Sequence, residues 1–222
     1  QAEQIIGSTG WLAYLPKSLC ALVLEHAQLL RFDTGDVIYR HGDQLGGIYG
    51  LVSGYVAVNL APPGSTPRLV HMAHPGGWTG EGCFMTGQPR RVGLEAVSES
   101  WVMHVPLKSM EQMAALEPNI IRAFGMITIL AADMLIRMVH DLQKRGGDRR
   151  IASVLHRIVW PDNRPITISQ DNLGIMANAS RKQTNAALQK FAAEGWIANG
   201  YRSITVNNID SLKQFSELPA GD

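Results

Sequence analysis

The chain has 222 residues, 45% hydrophobic and 18% charged, with a formal net charge of +1. That composition is that of a globular chain and not a disordered one, with enough residues for one large or two small domains with a core. No apolar run approaches the roughly 20 residues of a membrane span, no secretory signal is expected ahead of the first helix, and two cysteines, Cys20 and Cys83, make neither a disulfide framework nor a zinc site. A reducing cytoplasm is the expected compartment. The charge is uneven: up to Lys144 there are 10 basic and 12 acidic residues, and from Arg145 onward 10 and 7. The basic part is a modest electrostatic footprint for nucleic acid.

Trp11 to Leu30 reads as one or two helices. Pro16 suits the first turn of the second, and Leu19, Leu22, Val23 and His26 share one face. From Leu30 to about Val105 the period becomes two. Turn signals recur at Thr34-Gly35-Asp36, His41-Gly42-Asp43, Ser53-Gly54, Pro63-Gly64, Pro75-Gly76-Gly77 and Gly87-Gln88-Pro89. Between them lie β-rich runs at Val37 to Tyr39, Ile48 to Leu51, Tyr55 to Val58, Leu69 to Met72 and Trp101 to Val105. That spacing predicts an antiparallel jelly roll.

Lys108 to Arg145 is predicted to be helical. After Pro118, residues Ile120, Phe124, Ile127, Ala131, Met134 and Met138 alternate steps of four and three, a coiled-coil seam. Leu130, Leu135, Val139 and Leu142 add a second apolar stripe. One stripe can pack on the β domain and the other on a partner helix, which predicts a symmetric dimer; burial inside one chain is the alternative. Gly146-Gly147 then breaks the helix where the charge changes sign, and is read as a boundary and hinge.

Arg150 to Val159 is another helix, and residues 160–165 are a loop. Ile168 to Ile197 reads as two short helices about a turn at Ala177-Asn178-Ala179, where Asn tolerates a left-handed backbone. Ser180 can cap the second helix, Ala187, Leu188 and Phe191 give it an apolar side, and Gly195 stops it. This is the pattern of a helix-turn-helix, whose second helix enters the major groove. An αα-hairpin with a solvated polar face is the alternative. A β-hairpin follows, with a turn expected at Asn199-Gly200 and Arg202 placed to touch phosphate, like the wing of a winged helix. Ile209 to Phe215 is a short terminal helix.

The fold class is therefore α+β: an N-terminal double-stranded β-helix (jelly roll), a long dimerisation helix and a C-terminal winged helix-turn-helix. In that order these parts resemble the Crp/Fnr superfamily of bacterial transcription regulators. The resemblance runs from about Trp11 to Phe215 and rests on FDTGDVIYRHGD (Phe32 to Asp43), YGLVSGYVAV (Tyr49 to Val58), GEGCFMTGQPRR (Gly80 to Arg91) and the helical hairpin. It implies a sensor domain at 1–107, a dimerisation helix and hinge at 108–147, and a DNA-binding domain at 148–222. It implies double-stranded DNA and a second copy of the chain as partners, allows RNA polymerase as another, and implies no enzymatic activity and no membrane.

By the same resemblance, Gly80, Glu81, Gly82, Cys83, Arg90 and Arg91 line the effector site. The glycines admit close backbone approach, Arg90 can pair with phosphate oxygens, and Glu81 can accept from a ribose hydroxyl. An internal Glu81–Arg90 ion pair is the alternative. Two departures argue against cyclic AMP. Arg91 replaces a small residue, and Leu135 and Ile136 stand where hydroxyl side chains would meet the base. An unsatisfied buried donor costs about 1–3 kcal/mol. A small anionic effector of another shape, or none, is expected; a cyclic-nucleotide response is the alternative. No cofactor is expected: an iron–sulfur cluster needs four thiolates, and His71 and His74 make a poor chelate for haem. A metalloenzyme on the jelly roll would need convergent His and carboxylates, which the strands only scatter.

For DNA, Arg181 matches the family's arginine at the start of the recognition helix. Lys182 stands where an acidic residue is frequent and Ala186 where an arginine is frequent. Ser180 caps that helix, Gln183 and Asn185 are base readers or phosphate donors, Ser169 and Gln170 touch the backbone, and Arg202 and Lys190 are further phosphate candidates. A ligand-sensing β-roll whose C-terminal domain makes protein contacts is the competing reading.

Overall fold

The computed structural model describes residues 2–62, 64–160 and 165–217, so Pro63 and residues 161–164 of the loop before the helical hairpin lie outside the description. The N-terminal region departs from its reading as helix up to Leu30. Helix α1 (Ala2–Ser8) precedes a single 3-10 turn at Trp11–Tyr14, and α2 (Lys17–Glu25) begins after Pro16. The strands that follow are β1 (Gln28–Phe32), β2 (Val37–Tyr39), β3 (Ile48–Ser53), β4 (Val56–Leu60), β5 (Arg68–Ala73) and β6 (Trp78–Thr79). Helix α3 (Gly82–Thr86) separates them from β7 (Val92–Ala96) and β8 (Ser100–Val105). β1 was expected to be helix because a short apolar run does not distinguish the two states. Its pairing with β8, from Gln28 opposite His104 to Phe32 opposite Ser100, decides for strand.

Two four-stranded sheets form, in the orders β1–β8–β3–β6 and β2–β7–β4–β5. Tyr39, Val56 and Leu94 of one sheet and Leu51 and Val102 of the other share a core. The alternation read from the sequence thus turns one side of β2, β4 and β7 toward the facing sheet, as a jelly roll requires, while β3 and β8 are buried on both faces. A second core joins the β3 and β8 residues Ile48, Met103 and Val105 to Ile6, Trp11, Leu12 and Val23. Trp11 fixes that layer: its Nε1 donates to the Ala123 carbonyl at 2.6 Å, and its ring meets Trp78 edge-on at 5.2 Å.

Helix α4 (Leu107–Leu116) ends before Pro118, and α5 (Ile120–Gln143) runs unbroken for 24 residues. The predicted seam is divided along its length. Ile120, Phe124 and Ile127 are buried in the second core, because the β-roll consumes the first two turns of that stripe. The large apolar side chains left outside are Ile121 and Met126 near its start and Ile129, Leu135, Ile136, Val139 and Leu142 farther along, with Ile136 67% exposed. The chain falls into two compact units, and the division lies within α5. One holds the residues to Arg68 and Met72–Met134; the other holds Leu69–His71 and the residues from Leu135.

In the second unit α5 ends at Gln143, and Gly146, at φ 88°, leads into α6 (Gly147–Ile158), three residues earlier than expected. Then come β9 (Ile166–Thr167), α7 (Gln170–Met176), α8 (Arg181–Ala193), β10 (Ile197–Gly200), β11 (Ser203–Val206) and α9 (Ile209–Glu217). The sheet order is β10–β11–β9, and β9 had no signal in the sequence. Ile151, Leu155, Leu173, Leu188 and Leu212 are buried, and Phe191, Trp196 and Phe215 contact one another at 5.5–5.7 Å. The hairpin turn is at Tyr201-Arg202 and not at Asn199-Gly200. This register sets Ile197 opposite Val206 and brings Ile204 onto the same buried side. A turn at Asn199-Gly200 would put Ile197 opposite Arg202, and burial of the three aliphatic residues overrides that turn preference.

Candidate nucleic-acid interface and effector pocket

The helix-turn-helix is assembled by capping and by one close approach. Ser169 Oγ accepts from the Asn172 N–H at 3.1 Å and starts α7. Asn178 takes the left-handed conformation, φ 45°, and the Ala179 N–H returns to the Gly174 carbonyl at 2.9 Å. A Cβ at Gly174 would lie 3.0 Å from both the Ala179 carbonyl oxygen and Thr184 Oγ1, so a larger residue there would have to push the start of α8 back by a few tenths of an ångström. Ser180 and Gln183 form a reciprocal capping box: Ser180 Oγ accepts from the Gln183 N–H, and Gln183 Oε1 accepts from the Ser180 N–H at 2.9 Å.

These contacts sort the predicted DNA-facing residues. Ser169, Ser180 and Gln183 use side-chain oxygens to cap helices. Asn185 is half-buried, with its Oδ1 enclosed and without a hydrogen-bond partner. Lys190 Nζ lies 4.2 Å above the Phe215 ring and 3.5 Å from Asp148 Oδ2. Gln170, Arg181, Lys182 and Arg202 are exposed. Arg181 Nε stands 4.0 Å from Asp171 Oδ1 of the preceding helix. Arg202 turns the wing at φ 51°, beside Tyr201, which is 92% exposed. Two further exposed polar residues beside these, Asp171 and Gln189, are not among those read from the sequence. Gln189 is exposed and lies seven residues beyond Lys182, a spacing that returns to the same helix face.

The end of α5 is fastened to α6 and α9. Asp141, 5% exposed, pairs with Lys144 at 3.3 Å and with Arg157 Nε at 3.3 Å. Lys144 Nζ also donates to Ser153 Oγ at 2.7 Å and to Ser216 Oγ at 3.4 Å. Burial pulls the Arg157 pKa down from its ordinary value, and Asp141 opposes that pull.

In the β-roll, α3 follows Gly80, with Glu81 as its N-cap and Cys83 buried within it. Glu81 is 8% exposed and does not meet Arg90. Its Oε1 accepts from Thr128 Oγ1 of α5 at 2.9 Å. Burial raises its pKa above the ordinary carboxyl value, and backbone hydrogen bonds, the Thr128 bond and the charge of Arg90 counter in part. Arg90, 5% exposed, lies over the Tyr39 ring at 4.2 Å and near Tyr49 at 5.5 Å, and Nη1 donates to the Gly80 carbonyl at 3.3 Å. Tyr49 stacks in turn on His104 at 4.3 Å, and burial lowers the His104 pKa. The chain crosses over the guanidinium at Gly46, where a Cβ would collide with Nη2. The guanidinium expected to grip phosphate is thus already caged, and Arg91 is the exposed one, donating to Gln88 Oε1 at 2.6 Å. Neither the cage nor Thr128 had a sequence signal beyond the β-alternation that places Tyr39, Tyr49 and His104 on strands.

Among the described residues no group of three or more His, Cys, Asp or Glu is placed to hold a metal, and no helix is long and apolar enough to cross a membrane. Residues 29–116 match the cyclic nucleotide-binding domain family, and residues 149–215 match the Crp-like helix-turn-helix domain. The chain is 22% identical over 191 residues to the cAMP-activated global transcriptional regulator CRP of Pasteurella multocida, covering 82% of this chain and 91% of that one. Its fold is similar to FixK2 of Bradyrhizobium japonicum (TM-score 0.70, 18% identity, 87% and 99% of the two chains). It is also similar to the c-di-GMP responsive regulator CLP of Xanthomonas campestris (TM-score 0.63, 20% identity, 86% and 99%). Two domain matches in this order, on a β-roll, a long helix and a winged helix-turn-helix, place the chain in the Crp/Fnr superfamily of DNA-binding transcription regulators.

Proposed function

We propose that the chain acts in the cytoplasm as a homodimer that binds a palindromic operator, with residues 1–107 as sensor, 108–147 as dimerisation helix and hinge, and 148–222 as DNA reader. The observation that carries the reading is the capped start of α8, where Arg181 and Lys182 are solvent-facing in the unit that also presents Gln170 and wing Arg202. Donors at that position reach base edges and phosphates. The exposed stripe Ile129, Leu135, Ile136, Val139 and Leu142 supports a second copy as partner, since an apolar helix face of this length is normally covered.

Regulation through Gly80, Glu81, Gly82, Cys83, Arg90 and Arg91 is assigned to a small anion other than cyclic AMP. A cyclic nucleotide would have to take Arg90 from Tyr39 and the Gly80 carbonyl, and Glu81 from Thr128. The named effectors of the relatives differ, cAMP in Pasteurella and c-di-GMP in Xanthomonas, which fits a pocket whose ligand changes between members.

Selection from a random duplex pool, followed by sedimentation of the complex, tests the reading. The expected result is a two-fold symmetric site bound by two chains. An asymmetric site bound by one chain contradicts the dimer, and no enrichment contradicts DNA reading. Millimolar cyclic AMP is expected to leave the melting temperature unchanged, whereas a ligand at a hundred times its Kd adds about 2.7 kcal/mol.

A further inference from the structure

We infer that Ala186 reads a thymine in each half-site by contact with its 5-methyl group. The inference rests on the reading of α8 as the helix that enters the major groove. Lys182, Ala186 and Gln189 follow one another at steps of four and three along one exposed face. Of the polar side chains beside Ala186, two are held by other contacts and the third has its oxygen enclosed. Gln183 closes the capping box, Asn185 has its oxygen enclosed, and Lys190 is drawn back onto Phe215 and Asp148.

The middle of the reading face therefore presents one methyl group and no hydrogen-bonding side chain. The major-groove edge of a base pair offers donors and acceptors, and one apolar group, the methyl of thymine. A guanine or cytosine opposite Ala186 leaves its polar edge without a protein partner, and only thymine gives the methyl an apolar surface to cover. The short side chain also lets the helix axis come nearer the groove floor than a long one would. Lys182, about 6 Å back along the axis, has donors alone, so it selects the O6 and N7 acceptors of guanine and cannot serve a cytosine amino group. The inferred half-site thus combines guanine contacts from the start of α8 with a thymine at the position of Ala186.

The test uses the full chain and the duplex selected from a random pool. Each thymine is replaced in turn by uracil, which keeps the Watson–Crick pairing and removes only the methyl. One thymine per half-site is expected to be sensitive, with about a fourfold loss of affinity per half-site, the value for one buried methyl-sized group. That sensitivity disappears in Ala186→Gly. In Ala186→Arg, renewed selection replaces the thymine by guanine. Uniform tolerance of uracil, or a sensitivity that survives in Ala186→Gly, overturns the inference while leaving DNA recognition intact. If no duplex is enriched, or if the enriched duplex binds Arg181→Ala equally well, the assignment of α8 fails, and the inference with it.

Discussion

Arg150 Nε donates to the carbonyl oxygen of Ala177 at 2.7 Å, tying the start of α6 to the turn of the helix-turn-helix. Its Nη2 donates to the Asn178 carbonyl at 2.8 Å, and its Nη1 reaches back across the Gly146-Gly147 break to the Lys144 carbonyl at 3.0 Å. One planar guanidinium thus joins the end of the long helix to the turn that sets the angle between α7 and α8. Arg150→Ala is expected to lower stability by about 2–4 kcal/mol, because hydrogen bonds from a charged donor each contribute about 1.5–3 kcal/mol and water replaces some of them. Arg150→Lys recovers little, since a single ammonium cannot span three carbonyls. Urea denaturation of the three proteins measures both effects. Equal midpoints for wild type and Arg150→Ala would remove the strut from the account.

Glu81 predicts a pH dependence of stability. Its folded pKa is raised, chiefly by burial, so the folded state holds a proton that the unfolded state has released. Between the ordinary carboxyl pKa and the raised one, stability falls as pH increases. Glu81→Gln keeps an oxygen for the Thr128 hydroxyl and removes the charge. It is expected to melt higher than wild type at neutral pH, the difference vanishing below the ordinary carboxyl range. Thermal melts across that range check the sign, and a variant that melts lower at neutral pH contradicts it.

Asp171 predicts a separation of affinity from specificity. Its carboxylate stands 4.0 Å from Arg181 Nε, and both groups are exposed, so the pair contributes little to folding. Near DNA it repels phosphates while it restrains the arginine. Asp171→Ala is expected to bind random duplex about threefold to tenfold more tightly, as removing one unfavourable phosphate neighbour should do, and to discriminate less well against a changed base opposite Arg181. Competition titrations against random duplex read both effects. Unchanged discrimination would reduce Asp171 to a bystander.

The parts legible in the sequence are those fixed by local chemistry. Ser180 caps, Asn178 turns left-handed, and Ala187, Leu188 and Phe191 bury one side of α8, each set by residues within a few positions. The β-roll was legible through alternation and turn spacing. What escaped depends on distant partners. Gln28–Phe32 is a strand because β8 lies beside it. The wing turns at Tyr201-Arg202 because Ile197, Ile204 and Val206 have to share one side. Arg90 has the charge of a phosphate ligand, and its cage comes from Tyr39 and Tyr49, 51 and 41 positions upstream. Glu81 finds Thr128 across 47 positions. Sequence reading identified the residue types of the pocket, and only the fold reveals that they already serve one another.

The central claim is that the start of α8 reads DNA, and the salt dependence of operator binding in Arg181→Ala tests it most directly. A bidentate contact to guanine contributes about 1–3 kcal/mol of discrimination. Fluorescence anisotropy on the selected duplex is therefore expected to show a loss of about tenfold to a hundredfold per half-site, with relaxed preference at one base pair in each. Arg202→Ala is expected to weaken all duplexes alike and to flatten the slope of log K against log salt by about one per chain. Undiminished affinity and an unchanged salt slope in both variants would contradict the assignment of α8 and its wing as the DNA-reading surface.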